Sequence, residues 1–163
     1  QLDTLTVNPT GERTIKQFTA YDPVARFTAA QAFRRATAHA ASQFLDKLLA
    51  AVPFPVTGIQ VDGGSEFMAE FEQACQAKNI TLHVLPPKSP QLNGGVERAN
   101  GAWRYEFYAC HDPAHPLDQL NQQIDSFANL YNHYRPHGAL NGQTPAKYLA
   151  QCRSAETPMS HMS

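Results

Sequence analysis

Few cysteines and no long hydrophobic run are the first features of this sequence. Its three cysteines, Cys75, Cys110 and Cys152, are odd in number and form no CxxC pair. This pattern predicts reduced thiols in a reducing compartment rather than a disulfide framework or a zinc site. No apolar run approaches the roughly 20 residues that a membrane helix requires. The absences therefore favour a cytoplasmic protein that has no membrane partner.

The sequence also lacks a strong charge of either sign. Its 163 residues carry a formal net charge of −1, so the basic surface that phosphate binding normally leaves is not visible in the total. No acidic residue occurs between Asp125 and Glu156, whereas Arg135, Lys147 and Arg153 do. This distribution predicts a basic C-terminal edge. The length suits one domain, and the missing initiator Met favours a fragment whose natural N-terminus lies upstream.

Hydrophobic periodicity predicts an α/β fold. Short β-rich stretches alternate with segments whose apolar residues recur at helical spacing, and the helices follow the third strand. This order predicts a ribonuclease-H-like fold with a five-stranded mixed sheet flanked by helices. The predicted strands cover residues 2–7, 14–21, 26–33, 56–61 and 80–85, and the predicted helices cover 36–51, 65–79, 95–110 and 117–134.

A loop rich in proline and glycine precedes the third predicted helix. Residues 86–95 contain three prolines and two glycines, which predicts a mobile loop without regular structure. The helix that follows has an apolar stripe and a neighbouring polar stripe with Glu97, Asn100 and Arg104, which predicts docking by one side and a cleft on the other. The apolar stripe consists of Val96, Ala99, Trp103, Phe107 and Cys110.

Three carboxylates are the candidates for a metal site. Asp3 lies on the first predicted strand, Asp62 follows the fourth, and Glu97 is in the first turn of a helix. Carboxylates that converge from separate elements can bind Mg²⁺ or Mn²⁺, since these ions prefer oxygen ligands. Taken singly, each has a structural explanation, because Asp is common in turns and Glu complements the helix dipole. Three other acids, Asp22, Glu66 and Glu70, are explained by turn or helix position alone.

Three motifs resemble one family. The segments VDGGSEF, SPQLNGGVERANG and YNHYRPHGALNGQTPAKYL, in this order, closely resemble the catalytic core of bacterial insertion-sequence transposases of the retroviral-integrase type, over residues 1–150. The resemblance implies a ribonuclease-H-like fold, a DDE triad and two Mg²⁺ or Mn²⁺ ions when DNA is bound. It places the catalytic and metal-binding triad on Asp3, Asp62 and Glu97. The residue after the second Asp is commonly Asn in the family, whereas here it is Gly63.

Four basic residues are predicted to contact DNA. Lys88 on the loop, Arg98 and Arg104 on the helix and Arg135 in the basic edge can pair with phosphates, although Arg98 could instead pair with a neighbouring carboxylate. The resemblance implies element ends and target DNA as partners and a homo-oligomer as the working form. It also implies location in the bacterial cytoplasm, with nucleoid association when DNA is bound.

The leading hypothesis is a DNA transposase or integrase catalytic domain that cleaves element ends and joins them to target DNA. The alternatives are a ribonuclease-H-like nuclease without joining activity and a non-catalytic DNA-binding or assembly module derived from a transposase. The predicted organisation is an integrase-like core over residues 1–125, a helix end and basic tail motif over 126–152, and a disordered tail over 153–163.

Overall fold

The computed structural model describes residues 1–8 and 13–156. Five strands and five α-helices make up most of this part of the chain. The strands are β1 (Leu2–Val7), β2 (Ile15–Tyr21), β3 (Thr28–Phe33), β4 (Gly58–Val61) and β5 (Thr81–Val84), and the helices are α1 (Ala38–Ala51), α2 (Glu70–Ala77), α3 (Gly94–Ala102), α4 (Leu117–His133) and α5 (Pro145–Glu156). None of the described helices is long and apolar enough to cross a membrane.

The strands form two hydrogen-bonded sheets. Strands β1, β2 and β3 pair antiparallel in that order, and β4 pairs parallel with β5. Strand β1 lies against β4, but no backbone ladder joins them within the described residues. The five strands are therefore confirmed, while a single five-stranded sheet is not observed. Local patterning predicts strands, whereas a ladder between distant strands depends on how closely their backbones approach.

Helices cover both faces of the strands. On one face Phe18 of β2 packs against Phe44 of α1 and Phe67, with ring centroids 5.9 Å apart in both pairs. On the other face Trp103 and Phe107 pack 5.5 Å apart in a cluster with residues of β1, β3 and α4. The site residues lie on the second face, because β1 turns Leu2 toward the first core and Leu5 toward the second.

Two asparagines of α4 cover the outer edge of β3. The Asn132 side chain accepts from Thr28 N at 2.9 Å and donates to Thr28 O at 2.8 Å, and Asn121 makes the same pair of bonds with Ala32 at 2.8 and 3.0 Å. These bonds satisfy backbone groups that an edge strand would otherwise expose. Helix α4 is thereby fixed along β3.

The helix predicted from Ser65 to Asn79 is interrupted. A short 3-10 turn covers Ser65–Phe67, and α2 begins only at Glu70, after Ala69 adopts a positive φ of 46°. The break accompanies complete burial of both Phe67 and Phe71, whose rings are 5.5 Å apart. Tertiary packing of these rings therefore overrides the local helical pattern.

The helix predicted over residues 95–110 changes type. Helix α3 continues as a π-helix over Trp103–Phe107, closed by a bond from Tyr108 N to Trp103 O at 2.9 Å. The wider turn rotates the following residues, so Cys110 is exposed rather than on the buried stripe. The preceding loop, predicted to be irregular, contains a 3-10 turn at Pro90–Leu92.

The C-terminal motif is more ordered than the predicted turn-rich tail. Helix α5 begins with Pro145, and Lys147 N donates to Thr144 Oγ1 at 3.3 Å, an arrangement typical of a helix start. The helix extends through residues 153–156, which were predicted to be disordered. Residues 157–163 lie outside the described residues. All three cysteines are free, as predicted.

Candidate active site

Asp3 is held on β1 by hydrogen bonds to both carboxylate oxygens. Its Oδ1 accepts from Thr4 N at 2.8 Å, and its Oδ2 accepts from Asn100 Nδ2 at 2.9 Å. Asn100 is buried on α3, three residues after Glu97. The second bond therefore connects the strand that carries one predicted carboxylate to the helix that carries another.

Asp62 and Glu97 are both exposed. Asp62 follows the last residue of β4, and its Oδ1 accepts from Gly64 N at 3.1 Å. Glu97 lies in the first turn of α3, where its N–H bonds to Asn93 O at 3.2 Å. A Cβ at Gly63 would meet no atom within 4 Å, so the backbone leaves space for the Asn that is common in the resembled family.

The three carboxylates interact electrostatically. Burial raises the pKa of Asp3 above its usual value, and the negative charges of Asp62 and Glu97 raise it further. The hydrogen bonds from Thr4 N and the Asn100 amide act in the opposite direction, because they stabilise the carboxylate. The residues predicted as a triad are thus brought close enough together for two of them to perturb the third.

A cleft of about 350 Å³ opens between β1 and the α3 segment. Asp3 and Glu97 both line this cleft, together with Arg104 and Tyr105 from the π-helix. Tyr105 is 73% exposed, so its ring is available to a ligand. The cleft brings acidic, basic and aromatic side chains together.

The donor set suits a hard divalent cation, although it is not assembled as a closed cage. Among the described residues, no three His, Cys, Asp or Glu side chains are close enough together to hold an ion as they stand. Carboxylates are nevertheless the ligands that Mg²⁺ prefers, and a cation would relieve the repulsion on Asp3. Asn100 Oδ1 is also buried without a hydrogen-bond partner beside Asp3. These groups fit a magnesium or manganese site.

The four predicted DNA contacts lie in different surroundings. Arg104 lines the cleft, and exposed Arg98 lies one residue after Glu97. Lys88 is exposed in the turn after β5. The guanidinium of Arg135 instead binds the Glu106 carboxylate at 2.5 and 3.0 Å and lies 5.2 Å from the centroid of the Tyr131 ring. The structure therefore brings Arg104 to the carboxylates and does not bring Arg135 there.

Comparison with known proteins finds similarity to integrases and to an insertion-element protein. A family model described as "Integrase core domain" matches residues 78–145, which include Glu97. A protein of Spiroplasma virus SpV1-C74, named as a candidate integrase, is 29% identical in an alignment of 107 positions that covers 58% of this chain and 29% of that protein. The uncharacterized 31.7 kDa protein of insertion element IS407 from Burkholderia multivorans is 30% identical over 102 residues, or 61% of this chain and 36% of that protein.

This chain is therefore similar to integrase core domains, and the family match lies within residues 78–145. The matched segments span about a third of the length of these two relatives.

Solved integrase structures share the fold of this chain. The catalytic core domain of BIV integrase superposes with a TM-score of 0.72 at 20% identity, covering 96% of this chain and 97% of that one. The HTLV-2 integrase catalytic core, solved in complex with magnesium in a dimeric form, gives 0.70 at 18% identity over 90% and 92% of the two chains. These similarities confirm the ribonuclease-H-like fold predicted from the sequence.

Glu66 is a fourth carboxylate beside the site that the sequence pattern did not reveal. Its Oε1 accepts from Thr4 Oγ1 at 2.7 Å, next to Asp3. A Cβ at Gly64 would lie 2.8 Å from Glu66 Oε2 and 3.1 Å from Asp62 Oδ1, so the three groups are tightly grouped. Sequence position explained Glu66 as a residue of a helix start, and the pairing with Thr4 depends on contact between β1 and the segment after β4.

Proposed function

We propose that this chain cleaves phosphodiester bonds at the ends of a mobile DNA element and transfers the freed strands into target DNA. Asp3, Asp62 and Glu97 are the proposed catalytic residues and metal ligands. The observation that carries the proposal is the contact between the three elements: Asn100 of α3 binds Asp3 at 2.9 Å, and Glu66, in the segment that follows Asp62, binds Thr4 at 2.7 Å. The charges of Asp62 and Glu97 accordingly help to raise the pKa of Asp3. Asp3 and Glu97 line one cleft, and the charge of Asp62 also acts on Asp3.

Two Mg²⁺ or Mn²⁺ ions are the proposed cofactors when DNA is bound. Such ions, when bound, stabilise charge on both the attacking and leaving oxygens of a phosphodiester. Asp3 is oriented for this role by its bonds to Thr4 and Asn100, whereas Asp62 and Glu97 are exposed at the surface. The HTLV-2 integrase core, a neighbour in fold, is described in complex with magnesium.

Arg104 is the proposed first contact for a DNA phosphate in the cleft, because it lines the same cleft as Glu97. Lys88 and Arg98 are proposed to extend the contact along the backbone. Arg135 stays a proposed contact that would have to release Glu106 to reach DNA. The working form is proposed to be a homo-oligomer in the bacterial cytoplasm, associated with the nucleoid when bound to DNA.

The first experiment measures nicking and joining of supercoiled plasmid by the purified chain with Mn²⁺. We expect Asp62→Asn and Glu97→Gln each to reduce the rate by about 1,000-fold or more, since several kcal/mol of charge stabilisation is removed. Glu72→Gln is the matched control, because Glu72 is exposed on α2. Activity that survives both site substitutions would refute the assignment.

Two further measurements separate the alternative functions. Joined strands among the products support a transposase or integrase, whereas nicked products alone support a ribonuclease-H-like nuclease without joining activity. Calorimetry with Mn²⁺ alone tests the non-catalytic alternative, because a DNA-binding or assembly module has no requirement for the ion. Binding in the millimolar range that Asp62→Asn abolishes would support the proposed metal site.

A further inference from the structure

Two glutamine side chains donate hydrogen bonds to the same backbone carbonyl, just before the start of α3. Gln1 Nε2 donates to Leu92 O at 3.0 Å, and Gln60 Nε2 donates to the same oxygen at 2.6 Å. Leu92 lies two residues before the start of α3 and five residues before Glu97. The Leu92 carbonyl therefore accepts hydrogen bonds from two distant segments of the chain, next to the start of α3.

Gln1 also binds the first turn of α3 directly. Its Oε1 accepts from Val96 N at 3.0 Å, which is one of the N–H groups that lack a partner at a helix start. The backbone of Gln1 is itself fixed on β2, because it exchanges two bonds with Tyr21 at 2.8 and 2.9 Å. The Gln1 side chain thus connects β2, through the Gln1 backbone, to both Leu92 and Val96 of α3.

Gly95 permits this close approach. A Cβ at Gly95 would overlap Gln1 Oε1 and lie 3.2 Å from the Tyr21 ring. A larger residue would push the first turn of α3 away from β1 and β2. The position of Glu97, two residues later, therefore depends on contact between the backbone of α3 and the Gln1 amide.

Each glutamine lies two residues before a predicted catalytic aspartate. Gln1 precedes Asp3, and Gln60 precedes Asp62. Both glutamine amides bind Leu92 O just before α3, and Asp3 binds Asn100 of α3, so these side chains all contact the α3 segment. Leu92 O therefore links the three elements that carry Asp3, Asp62 and Glu97, although no backbone ladder joins β1 to β4 within the described residues.

We propose that Gln1 and Gln60 are positioning residues that set where α3 begins and thereby hold Glu97 at a defined distance from Asp3 and Asp62. They act through the Leu92 carbonyl and do not touch substrate. The inference rests on the proposed function, because it assigns the geometry of the same carboxylates. It adds a support that bridges the gap between the two sheets.

The decisive variant is Gln60→Met, which keeps the length of the side chain and removes both donors. Hydrogen exchange of the Val96, Glu97 and Arg98 amides is expected to accelerate about fivefold, corresponding to loss of one hydrogen bond, while α1 and α4 amides keep their rates. Gln73→Met is the control, because Gln73 is exposed on α2. Unchanged exchange in the first turn of α3 would overturn the proposal, whether or not the chain cleaves DNA.

The affinity for Mn²⁺ separates positioning from a general structural role. Gln60→Met is expected to weaken Mn²⁺ binding about tenfold, because Glu97 is then held less firmly near Asp3 and Asp62, with little change in the melting temperature. Gln1→Met is expected to act in the same direction. A lower melting temperature with unchanged Mn²⁺ affinity would refute positioning. Failure of the unsubstituted chain to bind Mn²⁺ would refute the proposed function, and the exchange rates would still decide the role of Gln60.

Discussion

Asp3 gains hydrogen bonds from its position on β1, but the same position makes its negative charge costly. Its half-buried position on β1 allows hydrogen bonds from Thr4 and Asn100, and the same burial raises its pKa together with the charges of Asp62 and Glu97. The ionised native state is therefore less stable than it would be with an isolated, solvated carboxylate at this position. A cation would offset this cost, which is the physical link between the stability of the fold and the proposed metal site.

Substitution of Asp3 by Asn should reveal this cost in metal-free protein. A raised carboxyl pKa contributes stability that is fully present below the unfolded value of 3.8 and is lost as pH rises through the folded value. Urea unfolding in EDTA is therefore expected to show that Asp3→Asn is more stable than the unsubstituted chain at pH 7, by a margin that shrinks toward pH 4. Exposed Asp118→Asn is the control. A loss of stability that grows with pH would contradict the sign.

Gly95 lies so close to the Gln1 side chain that the effect of a larger residue on stability can be predicted. Gly95→Ala gains helix propensity but introduces an overlap with Gln1 Oε1, so we expect a net loss of about 1–2 kcal/mol in the free energy of unfolding. Gly101→Ala on the same helix meets no atom within 4 Å and should instead gain up to about 1 kcal/mol. Equal gains at both positions, measured by urea unfolding, would show that α3 does not lie directly on Gln1.

At the scale of elements, α3 and its π-helical continuation contribute buried side chains to the core and polar side chains to the cleft. Val96, Ala99, Trp103 and Phe107 are buried as the apolar stripe predicted, so the docking side of the helix was readable from the sequence. The change to a π-helix was not readable, because it is a difference of one backbone bond. It places Arg104 and Tyr105 in the cleft wall while Trp103 and Phe107 enter the core.

Helix α4 supports the sheet through polar bonds that can be tested. Asn132→Ala leaves the buried N–H and C=O of Thr28 without partners, so we expect a loss of about 2–3 kcal/mol in the free energy of unfolding. Exposed Asn129→Ala on the same helix is the control and should change it by less than about 0.5 kcal/mol. A loss at Asn132 no larger than the control's would mean that water replaces the bonds at the β3 edge.

At the scale of the whole molecule, a net charge of −1 is compatible with DNA binding only if basic groups are concentrated. Several described cations are already paired with acids, including Lys47 with Asp125, Lys78 with Asp46 and Arg135 with Glu106. Arg104 shares the cleft with Glu97 and Asp3. Phosphate affinity is therefore expected to be local to the cleft rather than spread over the surface.

The dependence of DNA affinity on salt tests this arrangement. Arg104→Ala is expected to weaken binding to a duplex and to reduce the slope of log affinity against log salt concentration by about 0.9, the effect of one lost phosphate contact. Arg135→Ala should reduce the slope by less than Arg104→Ala does, because Arg135 must first release Glu106, and it should lower stability by roughly 1 kcal/mol. A larger reduction for Arg135→Ala than for Arg104→Ala would contradict the proposed order of contacts.

The sequence by itself determined the strands, most of the helices, the resemblance to integrase cores and the three candidate carboxylates, because periodicity and motif spacing are local properties. Boundaries near Ser65 and residue 103 differed where ring burial and a single backbone bond decided the conformation. Only the tertiary structure decided how Asp3, Asp62 and Glu97 stand relative to one another. That relation depends on bonds between residues far apart in sequence, such as Thr4 with Glu66 and the two glutamines with Leu92.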